Sequence, residues 1–188
     1  MKHFPVFLLL CAWLNLPAQN PPTQIAEFSV WSQRVDLSAY LGKKYRLSAA
    51  IRTEPATPES FAIAFVRNEP SQGGLRSWTY MDNMGDRPVR DTAWKIYTLE
   101  YVVDKKAPWL GFGFLGFSNG MFYFDDLHLR VESAPGVWTE LPVPNSDFEQ
   151  GSLDPWTQTN LGVPAQVLGA SASIVTHRPF EGKQCLRI

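Results

Sequence analysis

Apolar and polar residues alternate with a period of two through most of this chain, and this alternation limits the possible folds more than any other feature. Successive side chains of a strand point to opposite faces of its sheet, so such alternation is typical of strands buried on one face. We predict seven strands, at residues 25–36, 45–53, 60–67, 75–80, 94–103, 109–117 and 121–131. Short strands at roughly ten-residue spacing, separated by turn residues, predict an all-β sandwich of the jelly-roll kind.

Proline and glycine support this prediction. The chain contains 15 Pro and 13 Gly, which disfavour long helices. Gly42 lies in a predicted turn, and Asn119-Gly120 is a hairpin signal. The single helical turn that we expect follows Asp36, whose carboxyl can cap it. The glycine-rich stretch 111–116 is predicted to be a closely packed strand, since no helix follows it to form a phosphate-binding loop.

The first 18 residues have the pattern of a secretory signal peptide. A short positive start precedes an apolar run from Phe4 to Leu16, and the small residue Ala18 ends the segment. The run is about 13 residues long, against roughly 20 needed to span a bilayer. We therefore predict a secreted or periplasmic protein with no membrane attachment after signal removal. An uncleaved anchor and lipidation at Cys11 are the alternatives.

Charge and cysteine content exclude several functions. The formal net charge is −1 and no basic stripe is present, which argues against nucleic acid as a partner. Signal removal leaves Cys185 as the single cysteine, so no internal disulfide is expected. The sequence contains no G-x-S-x-G, H-E-x-x-H or phosphate-binding glycine motif. We therefore predict that these 188 residues contain no catalytic site and are not an enzyme.

Composition also divides the chain into units. After residue 144 the pattern of the first strands restarts, and the stretch before it is rich in Pro and Gly. Trp138 and Leu141 leave an edge strand as the alternative within that stretch. The final strand has no later strand to pair with, and native folds avoid such edges, so we expect a fragment of a longer protein. The predicted units are a signal peptide (1–18), a β-sandwich module (24–132), a linker (133–144) and an incomplete second β-sandwich module (145–188).

Several stretches are similar to parts of one known β-sandwich family. Residues 122–131, Phe-Tyr-Phe-Asp-Asp-Leu-His-Leu-Arg-Val, are similar to its closing strand. Residues 35–48, with a Gly turn before Tyr-x-Leu-Ser, are similar to its second strand, and Trp94-x-x-Tyr97 to a middle strand. Residues 145–151 and 182–188 resemble early strands of another copy. Together these stretches resemble galactose-binding-like jelly rolls, the fold of carbohydrate-binding modules of the family 4, 9 and 22 type.

The resemblance implies a function as well as a fold. Residues 81–89 followed by Trp94 resemble modules placed ahead of catalytic domains in exported bacterial hydrolases, such as processing-type serine peptidases and erythromycin-esterase-like enzymes. A glycan and an attached or downstream catalytic domain are then the expected partners. The alternative is a structural spacer that supports an attached peptidase or esterase and binds no small ligand. The chain departs from the family at residues 26–29, a distorted substitute for the opening Asn-x-x-Phe-Glu motif.

Two adjacent carboxylates lie in the closing strand. Asp125 and Asp126 are expected to point to opposite faces, and the inward one must be hydrogen-bonded, paired or bound to a cation. The family often holds a structural Ca²⁺ between its opening and closing strands. The resemblance therefore implies a calcium site of Glu27, Asp125 and Asp126, with Asp147 and Glu149 as counterparts in the second copy. The alternative is that the inward Asp caps a neighbouring loop through hydrogen bonds.

Aromatic residues supply the candidate ligand site. Sugars stack their C–H faces on flat rings, while polar groups bind their hydroxyls. Trp78 and Tyr80 share a face and lead into a polar loop. Packing of these rings into the core or against another domain is one alternative, and a plain ion pair of Arg87 with Asp82 or Asp86 is another. The predicted ligand-binding residues are Trp78, Tyr80, Asp82, Asn83 and Arg87.

A further aromatic pair lies on the predicted strand 94–103. Trp94 and Tyr97 are three positions apart and therefore point to opposite faces of an extended strand. At most one of them can face the core. We predict that Trp94 is the buried residue.

Overall fold

The alternating stretches form two antiparallel sheets. A computed structural model describes residues 27–72, 77–159 and 171–188. Five strands of one sheet are β1 (Phe28–Asp36), β3 (Phe61–Glu69), β4 (Tyr80–Asp82), β6 (Trp109–Phe117) and β9 (Thr157–Gln158). Their order is β4-β3-β6-β1-β9, with every neighbouring pair antiparallel. This sheet is called the five-stranded sheet below.

The second sheet contains six strands of the described chain. They are β2 (Lys44–Pro55), β5 (Lys95–Val102), β7 (Gly120–Ala134), β8 (Val137–Leu141), β10 (Ser173–Val175) and β11 (Cys185–Arg187). The order is β10-β11-β7-β2-β5, and β8 pairs with the later part of β7. The all-β sandwich is therefore confirmed. Six predicted strands coincide closely with observed ones, whereas the prediction at 75–80 was displaced, since β4 begins at Tyr80.

Aromatic side chains from both sheets meet in the core. Phe114 of β6 and Phe124 of β7 stack with ring centroids 4.3 Å apart, and both are fully buried. Burial of each such ring contributes about 1.5–3 kcal/mol. The glycine-rich stretch is confirmed as a closely packed strand. A Cβ atom at Gly113 would collide with the carbonyl oxygen of Trp31, so only glycine allows β1 and β6 to pair at this point.

The described part of residues 145–188 completes this sandwich and does not form a separate second module. β9 pairs with β1, and β11 pairs with β7. Phe148 and Trp156 are buried in the shared core, and the Trp156 ring stacks on Phe114 at 5.4 Å. The prediction of an incomplete copy was wrong because strand partners this distant in sequence leave no signal in local periodicity.

The predictions of a helical turn, a hairpin and a linker were not equally successful. In the described part of the chain, one 3-10 turn, Ser38–Tyr40, follows Asp36 as predicted. Leu37 and not Asp36 occupies the N-cap position, although Asp36 Oδ1 accepts the Ser38 N–H at 2.8 Å. Asn119-Gly120 does not close a hairpin, because β6 and β7 belong to different sheets. The predicted linker contains β8, which was the edge-strand alternative.

Two predictions concern other parts of the chain or its relation to a membrane. The predicted signal peptide, residues 1–18, lies outside the described residues. Among the residues that the structure describes, no helix has the length and apolar character required to cross a bilayer. Export of the protein therefore stays a prediction from its sequence.

Candidate functional site

The predicted aromatic residues lie at one open edge of the sandwich, where β4 and β5 are the outermost strands of their sheets. Tyr80 of β4 stacks on Tyr101 of β5, with ring centroids 3.4 Å apart and planes inclined by 3°. Trp78 is 40% exposed and Tyr101 is 41% exposed. We call Trp78, Tyr80 and Tyr101 the aromatic edge. Sequence analysis missed Tyr101 because its partner lies on the other sheet, which no local pattern reveals.

The surroundings of Tyr80 change the pKa of its phenol. Desolvation and, next, the Asp82 carboxylate raise the pKa of Tyr80 above its ordinary value. The hydroxyl therefore keeps its proton near neutral pH and can act as a hydrogen-bond donor. The buried phenol of Tyr45, whose pKa is raised chiefly by burial, donates instead to Asn68 at 2.9 Å.

The polar candidates after β4 bind mainly to their own loop. Asp82 Oδ1 accepts the backbone N–H two residues later at 2.8 Å, and its Oδ2 accepts from Arg87 Nη2 at 2.6 Å. Arg87 also donates to Asp86 at 2.7 Å, while Asn83 accepts the N–H two residues later at 3.2 Å. The structure thus brings these candidates together, with Asp82 and Arg87 forming the ion pair given as an alternative. The Arg87 side chain remains 45% exposed.

Asp125 is a buried loop cap. It is 1% exposed, and its Oδ2 accepts the backbone N–H of Phe180 at 2.8 Å and of Glu181 at 3.2 Å. Its Oδ1 accepts the N–H of Asp126 at 2.9 Å. Desolvation raises the pKa of Asp125 to about 6, although these N–H groups act in the opposite direction. The hydrogen-bonding alternative from the sequence therefore describes this residue.

Asp126 does not point away from Asp125 as predicted. A β-bulge interrupts the pairing of β7 with β2 at this point, and Asp126 adopts a φ of 48°. Its Oδ1 accepts from His128 Nε2 at 2.9 Å. Both aspartates line one surface depression of about 380 Å³, together with Asp147 and Glu149. The parity prediction failed because an extra residue in one strand reverses the faces beyond it.

The proposed calcium ligands are not assembled into one site. Glu27 belongs to a different depression, where its carbonyl accepts the Ser118 N–H at 2.8 Å. Glu149 Oε1 already accepts the N–H groups of Lys183 and Gln184, both at 2.7 Å. Across the described ranges, no group of three or more His, Cys, Asp or Glu residues is arranged to hold a metal ion. The set of Glu27, Asp125 and Asp126 therefore does not fit a calcium ion, and calcium stays a prediction from the resemblance.

Trp94 is also placed differently from the prediction. It lies outside the core cluster, where its Nε1 donates to the carbonyl of Arg178 at 2.8 Å and its ring meets Phe180 at 6.0 Å. Tyr97 instead packs against the core, and its hydroxyl donates to Asp91 at 2.5 Å. Trp94 and Tyr97 therefore differ in their contact with the core, as predicted. However, Tyr97 and not Trp94 is the residue that packs against it.

A cleft that was not predicted from the sequence lies beside β1. It has a volume of about 590 Å³, and we call it the arginine cleft. Gln33 donates to the carbonyl of Pro144 at 2.9 Å and so fixes the chain that forms one wall. The cleft is lined by Ser32, Gln33, Arg34, Val35, Arg67, Glu69, Phe112, Pro142, Val143, Pro144, Pro155, Thr157 and Thr159.

Three charged residues form one unit in this cleft. Glu69 accepts from Arg67 Nε through Oε1 and from Arg34 Nε through Oε2, the latter at 2.8 Å. The Arg34 guanidinium lies 4.4 Å from the ring centre of Trp109. Arg34 and Arg67 are both paired with Gly111, where a Cβ would collide with Glu69. A glycine inside a strand was the available signal, since it often marks a close approach.

Comparisons with known proteins add no family to the fold class that the structure shows, an all-β sandwich. No family model matches it. The uncharacterized HTH-type transcriptional regulator YbfP of Bacillus subtilis (strain 168) is 28% identical over 121 residues, which cover 63% of this chain and 39% of that protein. The chain therefore spans less than half of that relative. A solved structure described as "CBM4 structure and function" is 19% identical, with a TM-score of 0.36 over 54% of this chain and 59% of that one. Neither similarity assigns the chain to a family.

Proposed function

We propose that this chain is a non-catalytic glycan-binding module, exported from the cytoplasm and attached to a larger hydrolase. The supporting observation is the aromatic edge, where the half-exposed rings of Trp78 and Tyr101 accompany the stacked ring of Tyr80. Aromatic rings offer apolar area at low entropic cost, and sugars present C–H groups that pack on such faces. Exposed apolar patches with a polar rim are typical of binding surfaces.

The geometry of the aromatic edge favours binding over simple exposure. The near-parallel stack of Tyr80 on Tyr101 holds both rings in one orientation. The neighbouring loop offers the half-exposed Arg87 guanidinium, which is fixed by its bonds to Asp82 and Asp86. Groups that are already ordered before binding lose little conformational entropy when a ligand arrives. A glycan would therefore meet preformed rings beside a preformed polar loop.

The surroundings of His128, His177 and Cys185 give further support to a non-catalytic role. Both ring nitrogens of His128 contact carboxylates at 2.9 Å, from Asp126 and Glu140. His177 lies 3.7 Å from Glu54. Cys185 is fully buried, and desolvation raises its pKa to about 12, so it does not form the reactive thiolate that a cysteine nucleophile requires. These contacts offer no pairing of a base with an activated nucleophile.

A structural role is the second candidate. It is favoured by the bonding of Asp82, Asn83 and Arg87 within their own loop. It is also favoured by the stack of Tyr80 on Tyr101, which joins two strands of different sheets. A spacer that supports an attached domain would need these contacts for rigidity alone.

Polysaccharide pull-down and glycan-array binding test the proposal. Trp78→Ala and Tyr101→Ala should each weaken binding about tenfold, the usual scale for the loss of one central aromatic contact. Ile96→Ala is the matched control, because Ile96 is 59% exposed on the same strand as Tyr101 but has no aromatic ring. Failure of the wild-type protein to bind any glycan, or equal binding by folded Trp78→Ala and Tyr101→Ala variants, would reject the proposal in favour of a structural role.

A further inference from the structure

We propose that the arginine cleft is a separate ligand site that takes a hydroxylated organic acid, of which a hexuronic acid unit of an acidic glycan is the best-fitting class. The cleft is lined by residues of β1 and β3 and by the wall around Pro142–Pro144, whereas the aromatic edge lies on β5 and on β4, which pairs with β3. The proposal therefore concerns different residues from those of the glycan site and stands without it.

The first reason is charge. Arg34 and Arg67 carry two positive charges in the cleft lining, and Glu69 carries one negative charge, which leaves one positive charge over. The side chain of Arg67 is 9% exposed and that of Glu69 is 15% exposed. Charged groups removed from water are normally paired. Arg67 and Glu69 are paired with each other, so the surplus charge belongs to Arg34, which is 39% exposed at the rim and would attract an anionic ligand to the cleft.

The second reason is the direction of the donors. The Glu69 carboxylate accepts hydrogen bonds from the Nε atoms of both arginines. Arg34 Nη2 donates to the carbonyl of Pro70 at 2.7 Å. In the described part of the chain, neither Nη atom of Arg67 has a hydrogen-bond partner. A planar guanidinium with free Nη donors matches a carboxylate, which accepts two parallel hydrogen bonds.

The third reason is the remaining lining of the cleft. Ser32, Gln33 and Thr157 provide hydroxyl and amide oxygens as acceptors, since Gln33 Nε2 already donates to Pro144 and Thr157 Oγ1 to the Ser32 carbonyl, whereas Val143 and Pro155 provide apolar walls. Sugar acids combine a carboxylate, several hydroxyls and C–H faces, so they use all three kinds of lining. The volume of about 590 Å³ falls within the range of roughly 300–1,000 Å³ typical of small-molecule sites.

The arginines are also held in place before any ligand arrives. Arg34 is fixed by Glu69 and by the ring of Trp109, and the missing side chain of Gly111 leaves the space that the triad occupies. Ordering of long side chains is a large part of the unfavourable entropy of binding, and here it has already occurred on folding.

Calorimetric titration with D-galacturonate tests the proposal, with D-galactose as the neutral counterpart and sodium acetate as the bare carboxylate. We expect D-galacturonate to bind at least about tenfold more tightly than either probe, since a hydrogen bond to a charged group contributes at least that factor. The affinity should fall as salt is added, because ions screen the attraction. Equal binding of galactose or of acetate would overturn the assigned ligand class.

Variants locate the site. Arg34→Gln and Arg67→Gln should each weaken D-galacturonate binding about tenfold or more. Arg46→Gln is a closely matched control, because Arg46 bonds Glu100 at 2.8 Å, lies 4.1 Å from the Trp138 ring centre and is exposed to a similar extent, 36% against 39% for Arg34. Arg34 lies at the rim, so its variant keeps the test valid if Arg67→Gln fails to fold. An equal effect of Arg34→Gln and Arg46→Gln would contradict the proposal.

A final variant separates this site from the aromatic edge. Trp78→Ala should leave D-galacturonate binding unchanged, even where it abolishes the binding of a neutral glycan. Loss of D-galacturonate binding in Trp78→Ala, with Arg34→Gln unaffected, would place the acid at the aromatic edge and reject the arginine cleft. Loss of neutral-glycan binding in Trp78→Ala, with D-galacturonate binding unchanged, would support two separate sites.

Discussion

The two outer faces of the sandwich each contain a buried arginine, but the two arginines have different surroundings. Arg52, on the six-stranded sheet, is fully buried, and its guanidinium lies 3.6 Å from the ring centre of Tyr123. It donates to Glu54 at 2.5 Å and to the carbonyl of His177 at 3.1 Å. Arg67, on the five-stranded sheet, bonds only Glu69 among the described residues, lies 5.8 Å from the Phe65 ring centre and lines the arginine cleft.

The difference comes from the later part of the chain. Residues 177–181 lie over Arg52, Trp94 and Asp125, which they contact through four backbone groups. On the opposite sheet, the described residues around Thr157 line one wall of the arginine cleft. The same residue type therefore serves structure on one face and, in our proposal, recognition on the other.

The largest expected effect tests whether this later segment is part of the sandwich. Trp156→Ala should lower the free energy of unfolding by about 3–5 kcal/mol, because it removes a buried ring that packs on Phe112, Phe114 and Phe148. Chemical denaturation followed by circular dichroism measures this change. Trp138→Ala, which removes a partly exposed ring on an outer face, should cost about 1 kcal/mol or less. A loss below 1 kcal/mol for Trp156→Ala would restore the interpretation of residues 145–188 as a separate module.

The next effect compares the two arginines directly. Arg52→Gln should lower the free energy of unfolding by about 2–3 kcal/mol, because it removes a ring contact and two hydrogen bonds and deprives Glu54 of its guanidinium partner, although the Tyr123 hydroxyl still donates to Glu54. Arg67→Gln should cost clearly less, since Arg34 continues to bind Glu69. Hydrogen exchange of residues 177–181 should accelerate in Arg52→Gln alone. Equal costs for the two variants would remove the distinction between the faces.

A smaller effect concerns pH and the loop cap. The pKa of Asp125 is raised to about 6 in the folded protein, above its unfolded value, so the group favours folding at low pH. This contribution is complete below about pH 4 and is lost as the pH rises through 6, with a magnitude on the order of 2 kcal/mol. In urea denaturation between pH 4 and 7, the free energy of unfolding of the wild type should therefore fall relative to that of Asp125→Asn. A pH-independent difference between the two proteins would contradict this role for Asp125.

The smallest effect involves the single thiol of β11. Cys185 is fully buried and its pKa is raised to about 12 by desolvation, so iodoacetamide at pH 8 should label the native protein on the order of 100-fold more slowly than the unfolded chain. Trp156→Ala should accelerate the labelling, because it loosens the same segment. Rapid labelling of the native wild type would mean that β11 is not docked on β7.

The sequence predicted what depends on neighbouring residues and missed what depends on distant ones. Alternation located β1, β2, β3, β5, β6 and β7, and Asp36 marked its turn correctly. It could not show that Tyr101 reaches Tyr80 or that Arg34 reaches Glu69, since both contacts join strands far apart in the chain. The bulge at Asp126 was invisible for a related reason, because only pairing with β2 defines an extra residue.

The central claim is that residues 177–181 cover one outer face, whereas the described residues of the other face form a cleft that takes a ligand. Titration of the isotope-labelled protein with D-galacturonate, followed by amide NMR shifts, tests it most directly. We expect shifts at Ser32, Gly111 and Thr157, with none at Phe180 or Glu181. Shifts confined to Phe180 and Glu181, or no shifts at millimolar ligand, would contradict the claim.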